Sequence, residues 1–209
     1  MKDNIRTIVF AAILGFVCSL TLTGASLFTA PYRIANRKAE ESRNFLSALE
    51  VPVPAKASAE TLLELFEKNI RVKKMGSLAL YEYVPATSAS KNPVSIAVPF
   101  SGPGLWGPIK GVLALAPDMQ TIRGIRFYEQ EETPGLGGEI GSEGFQAQFV
   151  GKKIVSSSGV PGIKILKTDT SGDPNAVDAI TGATMTCDRV QAMLTALATE
   201  LQEKLKNDQ

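Results

Sequence analysis

From Thr7 to Tyr32 the chain carries no charged side chain, and Ile8, Val9, Phe10, Ile13, Leu14, Phe16, Val17, Leu20, Leu22, Leu27 and Phe28 fill that run with apolar bulk. A helix that spans a bilayer needs about 20 such residues. The pattern therefore predicts a transmembrane helix over 7–32, behind a short N-terminal segment, 1–6. A cleaved signal peptide is the competing reading, since Lys2 and Arg6 precede the run and Thr23-Gly24-Ala25 offers small residues for cleavage. The retained helix is preferred because the apolar region of a signal peptide is only about 7–15 residues long. Val17 occupies the place before Cys18 where a lipoprotein signal needs a small residue. Arg33, Arg37 and Lys38 follow the span as Lys2 and Arg6 precede it, so charge bias alone does not orient it.

Past the span the period is helical and then changes. Phe45, Leu46 and Leu49 make an apolar stripe on the otherwise charged segment Asn36 to Glu50. Val51-Pro-Val-Pro54 breaks it, and Leu62, Leu63, Leu65 and Phe66 mark a second short helix over Ala59 to Asn69. A juxtamembrane helical segment is thus expected over 33–75. Leu78–Val84, Val94–Phe100, Val112–Ala116, Ile122–Tyr128 and Ile163–Lys167 are short apolar or alternating runs punctuated by Gly, Pro, Asn and Asp, which predicts strands. Val190, Met193, Leu194, Leu197, Leu201 and Leu205 then recur at helical spacing, with Lys204 and Lys206 near the negative end of the helix dipole. Helices flanking a central sheet make an α+β domain, expected over 76–209.

Composition narrows the chemistry. A chain of 209 residues has room for one sizeable domain and an appendage. With 22 Lys and Arg against 21 Asp and Glu there is no single-sign field to draw nucleic acid. The absence of histidine removes Ser-His-Asp and Cys-His nucleophiles, histidine zinc sites and His-ligated haem. Cys18 and Cys187 are too few for a Cys₄ metal site or an iron–sulfur cluster within the chain. Neither a metal site nor a catalytic residue is expected.

Three glycine-rich stretches remain as candidates. Ser101-Gly-Pro-Gly-Leu-Trp-Gly-Pro108 holds the only Trp, although turn chemistry alone explains its Gly and Pro. In Glu131-Glu-Thr-Pro-Gly-Leu-Gly-Gly-Glu139 the glycines let backbone approach a flat ligand or simply turn. Asp178-Ala-Ile-Thr-Gly-Ala-Thr-Met-Thr186 opens the last helix, where free N–H groups and a partial positive charge suit a phosphate. Capping by Thr186 or Asp188 is the plainer alternative, but three threonines exceed what one cap requires.

The segment Asp178-x-x-Thr181-Gly182-Ala183-Thr184-x-Thr186 resembles the flavinylation motif of the FMN-binding domain family, in which a flavin transferase esterifies the threonine after Gly-Ala to the FMN phosphate. In order along the chain, the membrane helix with Val17-Cys18-Ser19, the Gly104-Leu105-Trp106 turn, Lys110-Gly111-Val112, the Glu132-Thr-Pro-Gly-Leu-Gly-Gly-Glu139 loop and Gly151-Lys152-Lys153 resemble the C subunits of Na⁺-translocating NADH:quinone oxidoreductases. The G subunits of Rnf complexes, ferredoxin:NAD oxidoreductases, share the membrane helix, the Thr-Pro-Gly-Leu-Gly loop and the threonine motif. Gln130 departs from both families, which commonly place a His nearby.

The resemblance implies covalent FMN on Thr184, with Asp178, Thr181, Gly182, Ala183 and Thr186 shaping the phosphate nest, and Leu105, Trp106, Glu132, Thr133, Leu136, Gly137 and Gly138 beside the ring. It also implies an electron carrier among the other membrane subunits of a redox-driven sodium translocase, with no complete activity alone. A flavin transferase is required for maturation, and the flavin domain lies on the periplasmic side of the bacterial inner membrane. The alternatives are an Rnf G subunit and a membrane-anchored binding domain that is never flavinylated.

Overall fold

The structure, a computed structural model, describes residues 2–85 and 92–207; Met1 and Gln209, which bound the first and last expected segments, lie outside the described residues. The chain divides into two compact units, Met1–Ala39 and Glu40–Gln209.

Helix α1 runs from Lys2 to Ala48 with Pro31 inside it. It is one helix long and apolar enough to cross a membrane, and its large apolar side chains, Phe16, Leu20, Leu22 and Phe28 among them, are exposed. Thr21 and Thr29 donate to Val17 O and Ala25 O at 2.9 and 2.8 Å, so neither hydroxyl needs water. The sequence divides this stretch at Tyr32, yet the helix continues, because Ala, Glu, Arg and Leu after Pro31 are good helix formers. It ends where Glu50 takes φ 59° and Val51 N–H bonds back to Leu46 O at 2.9 Å.

In the second unit, α2 (Ala59–Asn69) starts at Ser58, whose hydroxyl accepts from Thr61 N–H at 3.2 Å. It leads directly into β1 (Ile70–Met75). The segment expected to stay helical to residue 75 therefore ends in a strand: Arg71, Lys73 and Lys74 hide the alternation on an edge with little to bury. β2 (Leu78–Tyr83), β3 (Ser95–Pro103), β4 (Pro108–Leu115) and β5 (Ile122–Glu129) follow, and the five strands pair antiparallel in the order β1-β2-β3-β4-β5. β6 (Lys164–Leu166) and β7 (Ala176–Asp178) make a separate parallel pair that brings the chain to α4 (Thr184–Asn207).

Both faces of the sheet are covered. On one, Val98 and Phe100 of β3, Leu113 and Leu115 of β4 and Ile125 and Phe127 of β5 pack with Val190, Leu194, Leu197 and Leu201 of α4 in the main core. On the other, the end of α1 and α2 bring Phe45 and Phe66 against Tyr81, with ring centroids 4.6 and 6.0 Å away. Ser95 Oγ donates to Leu49 O at 3.0 Å there. Ala48 O lies so close to Gly124 that a Cβ would meet it at 2.7 Å. This is the α+β arrangement that the strand and helix periods predict.

Candidate functional site

Between β3 and β4 the chain turns sharply. The strands extend further into the first glycine-rich stretch than its composition suggests, pairing as far as Pro103 with Pro108. Only Gly104–Gly107 is left to turn, closed by a 2.8 Å bond from Gly104 N–H to Gly107 O. After β5 the second glycine-rich stretch folds over as a loop and a short 3₁₀ turn, Gly137–Gly141. The third passes through Gly182, at φ 79°, into α4. The fold thus gathers three loops that lie far apart in sequence.

Glu132 holds them together. The residue is 4% exposed, and both carboxylate oxygens are hydrogen-bonded: Oε1 accepts from Leu105 N–H at 2.7 Å and Trp106 N–H at 3.1 Å, and Oε2 accepts from Thr186 Oγ1 at 2.5 Å. Burial pushes its pKa up, but the hydrogen bonds from Thr186, Trp106 and Leu105 outweigh that and hold the carboxyl below its ordinary 4.5. The packing leaves no slack. A Cβ on Gly104 would sit 2.6 Å from Glu132 Oε1, and one on Gly137 would collide with Thr186 Oγ1. Gln130 accepts from Glu132 N–H through Oε1 at 2.6 Å and so fastens the start of the same loop.

Around this clamp lies an open recess of about 180 Å³, lined by Leu105, Trp106, Glu132, Thr133, Leu136, Gly137 and the run Gly182–Thr186. Trp106 is 70% exposed, Met185 57%, and Leu105 and Leu136 43% each. Exposed apolar side chains around one polar helix end are costly to leave in water and suit a flat ligand with an anionic tail. Thr184 is exposed at the first position of α4, after Ala183, whose side chain has no oxygen to cap the helix. The first N–H groups of α4, on residues that line the recess, therefore lack intrahelical acceptors. FMN fits these residues: a phosphate at the helix start, a ring between the apolar side chains, and too little enclosed volume to bury the whole molecule.

Most of the residues expected from sequence meet here, with four differences. Gly138, within the 3₁₀ turn, donates to Thr133 O at 2.9 Å and does not line the recess. Thr181 lies in the exposed turn before Gly182 and also stands outside it. Thr186 borders the recess, but its hydroxyl donates to Glu132 and the residue is 3% exposed. Asp178 is turned away: Oδ1 accepts from Thr170 N–H at 2.9 Å and Thr170 Oγ1 at 2.7 Å. Its place at the end of β7, paired with Leu166 of β6, aims the carboxylate at the 169–171 turn. Sequence reasoning missed Met185, which occupies the variable position of the motif and so carried no signal of its own.

Residues 104–199 match the FMN-binding domain family. Over nearly its whole length it is similar to a more particular group. It is 27% identical over 230 residues to the C subunit of the Na⁺-translocating NADH-quinone reductase of Pasteurella multocida, covering 90% of this chain and 88% of that one. It is 29% identical to the corresponding C subunit of Yersinia pestis, covering 91% and 87%. The crystal structure of the C subunit from Parabacteroides distasonis superimposes with a TM-score of 0.65 at 25% identity, covering 79% of this chain and 90% of that one.

Proposed function

We propose that this chain is the electron-transfer subunit of a membrane Na⁺-translocating NADH:quinone reductase, carrying FMN through a phosphoester on Thr184. The observation that carries the proposal is the exposed Thr184 hydroxyl at the uncapped start of α4, in the same recess as Leu105, Trp106, Leu136 and Met185. Similarity to the C subunits of such reductases supports this complex over an Rnf G subunit.

Bound FMN supplies the electron-accepting and electron-donating chemistry of its ring. The chain's own residues do the rest. The first N–H groups of α4 bind and orient the phosphate, aided by the helix dipole. Gly182 takes the left-handed turn that sets Thr184 against the recess, and Leu105, Trp106, Leu136 and Met185 exclude water from the ring faces. Glu132 keeps the hairpin and α4 in register by accepting the Thr186 proton in a hydrogen bond. A covalent tether prevents loss of the cofactor, which matters for a recess too open to enclose it. A flavin transferase makes the ester, because a threonine hydroxyl is a weak nucleophile without activation. α1 anchors the chain in the bacterial inner membrane with the flavin domain in the periplasm.

Membranes from cells expressing the chain with and without a flavin transferase test the reading on a denaturing gel. The band fluoresces under ultraviolet light only with the transferase, and Thr184→Ser keeps the fluorescence. A non-fluorescent band in the presence of the transferase contradicts it. A reporter fused after Gln209 is expected to be active only if it works in the periplasm; activity of a cytoplasmic reporter overturns the topology.

A further inference from the structure

Among the described residues that line the recess, Glu132 alone has an ionisable side chain. It is also firmly placed. Its oxygens take hydrogen bonds from the Leu105 and Trp106 amides and the Thr186 hydroxyl. Gly104 and Gly137 crowd it so closely that a Cβ on either would lie 2.6 or 2.9 Å from a carboxylate oxygen. Although burial pushes its pKa up, the hydrogen bonds hold the carboxyl below its ordinary 4.5, so the charge persists at neutral pH.

Glu132 forms no ion pair among the described residues. Between Arg126 and Lys152 the sequence has no Lys or Arg. Lys110 of the neighbouring hairpin pairs with Glu129 at 2.8 Å, and Arg189 lines a different groove, between β3 and α4. The three donors to Glu132 are neutral groups. The start of α4 offers only about half a positive charge, and a phosphate bound there, itself an anion, draws on it first. Exposed Glu131 and Asp188 stand in water, where salt screens charges over about 8 Å. Glu132, 4% exposed, is screened much less.

Reduction of an oxidised flavin ring adds two electrons, with protons drawn from solvent: one proton at N5 leaves the ring negatively charged, and a second at N1 leaves it neutral. A fixed anion at the recess repels the added charge, the more strongly where water is excluded. We propose that Glu132 sets the redox poise of the bound flavin, its negative charge lowering the ring's reduction potential so that the reduced ring parts with its electrons more readily. The proposal rests on reading the chain as a covalent FMN carrier, and it gives the carboxylate a role beyond holding the loops together.

The test uses full chains co-expressed with a flavin transferase and purified in detergent. Dithionite supplies the electrons, reference dyes report the potential, and the ring's absorbance reports the fraction reduced. Glu132→Gln keeps the side chain's shape and one acceptor but removes the charge. It is expected to favour reduction about tenfold, a rise of about 30 mV in the midpoint of the two-electron couple. Thr186→Ala removes a hydrogen bond and keeps the charge, and its midpoint is expected at or below the parent's. A role confined to holding the loops moves both midpoints the same way. A Glu132→Gln midpoint at or below the parent's, a rise in both variants, or a Glu132→Gln chain that takes up no flavin overturns the tuning role. In-gel fluorescence of the same preparations separates the two readings: a parent chain without covalent flavin sinks the flavin assignment and this proposal with it, and a covalent flavin whose midpoint ignores Glu132 sinks the proposal alone.

Discussion

Removing the Glu132 carboxylate tests how the recess is held together. In Glu132→Ala, the Thr186 hydroxyl and the Leu105 and Trp106 amides all lose their acceptor. Each buried donor left unmade costs about 1–3 kcal/mol. Thr186 is 3% exposed and bears the full penalty, whereas the two part-buried amides recover some of it from water. A loss of about 3 kcal/mol follows, and Glu132→Gln, which still accepts through one oxygen, loses about 1 kcal/mol. Urea unfolding of the full chain in detergent, followed by the fluorescence of the single Trp106, reads both; at about 1–3 kcal/mol per molar urea the Ala variant's midpoint falls by roughly 1–3 M. The pH dependence adds a signature. A carboxyl whose folded pKa is depressed stabilises the fold fully above its ordinary 4.5 and loses that contribution as pH falls through the folded value. The gap between the parent and Glu132→Gln should therefore hold steady from neutral pH to about 5 and close below. A Glu132→Ala loss under about 0.5 kcal/mol, or a gap that widens in acid, refutes the clamp.

Gly182→Ala forces φ 79° on a residue with a Cβ and brings that Cβ to 2.9 Å from Leu136 Cδ2; a stability loss of about 1–3 kcal/mol and slower flavin attachment are expected in unfolding and timed transferase assays. Asp178→Asn weakens the bonds to Thr170, at a cost of about 0.5–2 kcal/mol as for a lost cap, and is expected to leave the transfer rate unchanged; a slowed transfer with an unchanged urea midpoint restores Asp178 to the phosphate site. Burial and the neighbouring Glu41, Glu129 and Tyr81 push the Tyr128 phenol up to about 12, so an ultraviolet titration is expected to lose its latest tyrosine step in Tyr128→Phe.

The main-core strands and α4 were legible because their apolar residues alternate or recur at helical spacing against a large core, as in Ile122–Glu129 and in Val190 to Leu201. β1 was not, since an edge strand with Arg71, Lys73 and Lys74 buries only Ile70 and Met75. The continuity of α1 past Tyr32 was obscured by its change from apolar to charged composition, which alters the surroundings a helix suits but not its propensity to continue. Within the site, the place of the threonine motif at the start of the last helix was readable from the sequence. The inward turn of Thr186 was not, because its partner Glu132 lies 54 positions away; the hydrogen bonds from Thr170 that turn Asp178 aside span only 8 positions, but they depend on the fold of the 169–171 turn, which no periodicity signals.

The central claim is that Thr184 and no neighbouring hydroxyl carries the flavin. Peptide mapping by mass spectrometry, on chains co-expressed with a flavin transferase, addresses it directly. The account predicts that the peptide containing Thr184 gains the mass of FMN less one water, that Thr184→Ala abolishes the gain, and that Thr186→Ala keeps the modification on Thr184 while lowering stability. Modification that persists in Thr184→Ala, carried by Thr181 or Thr186, contradicts it.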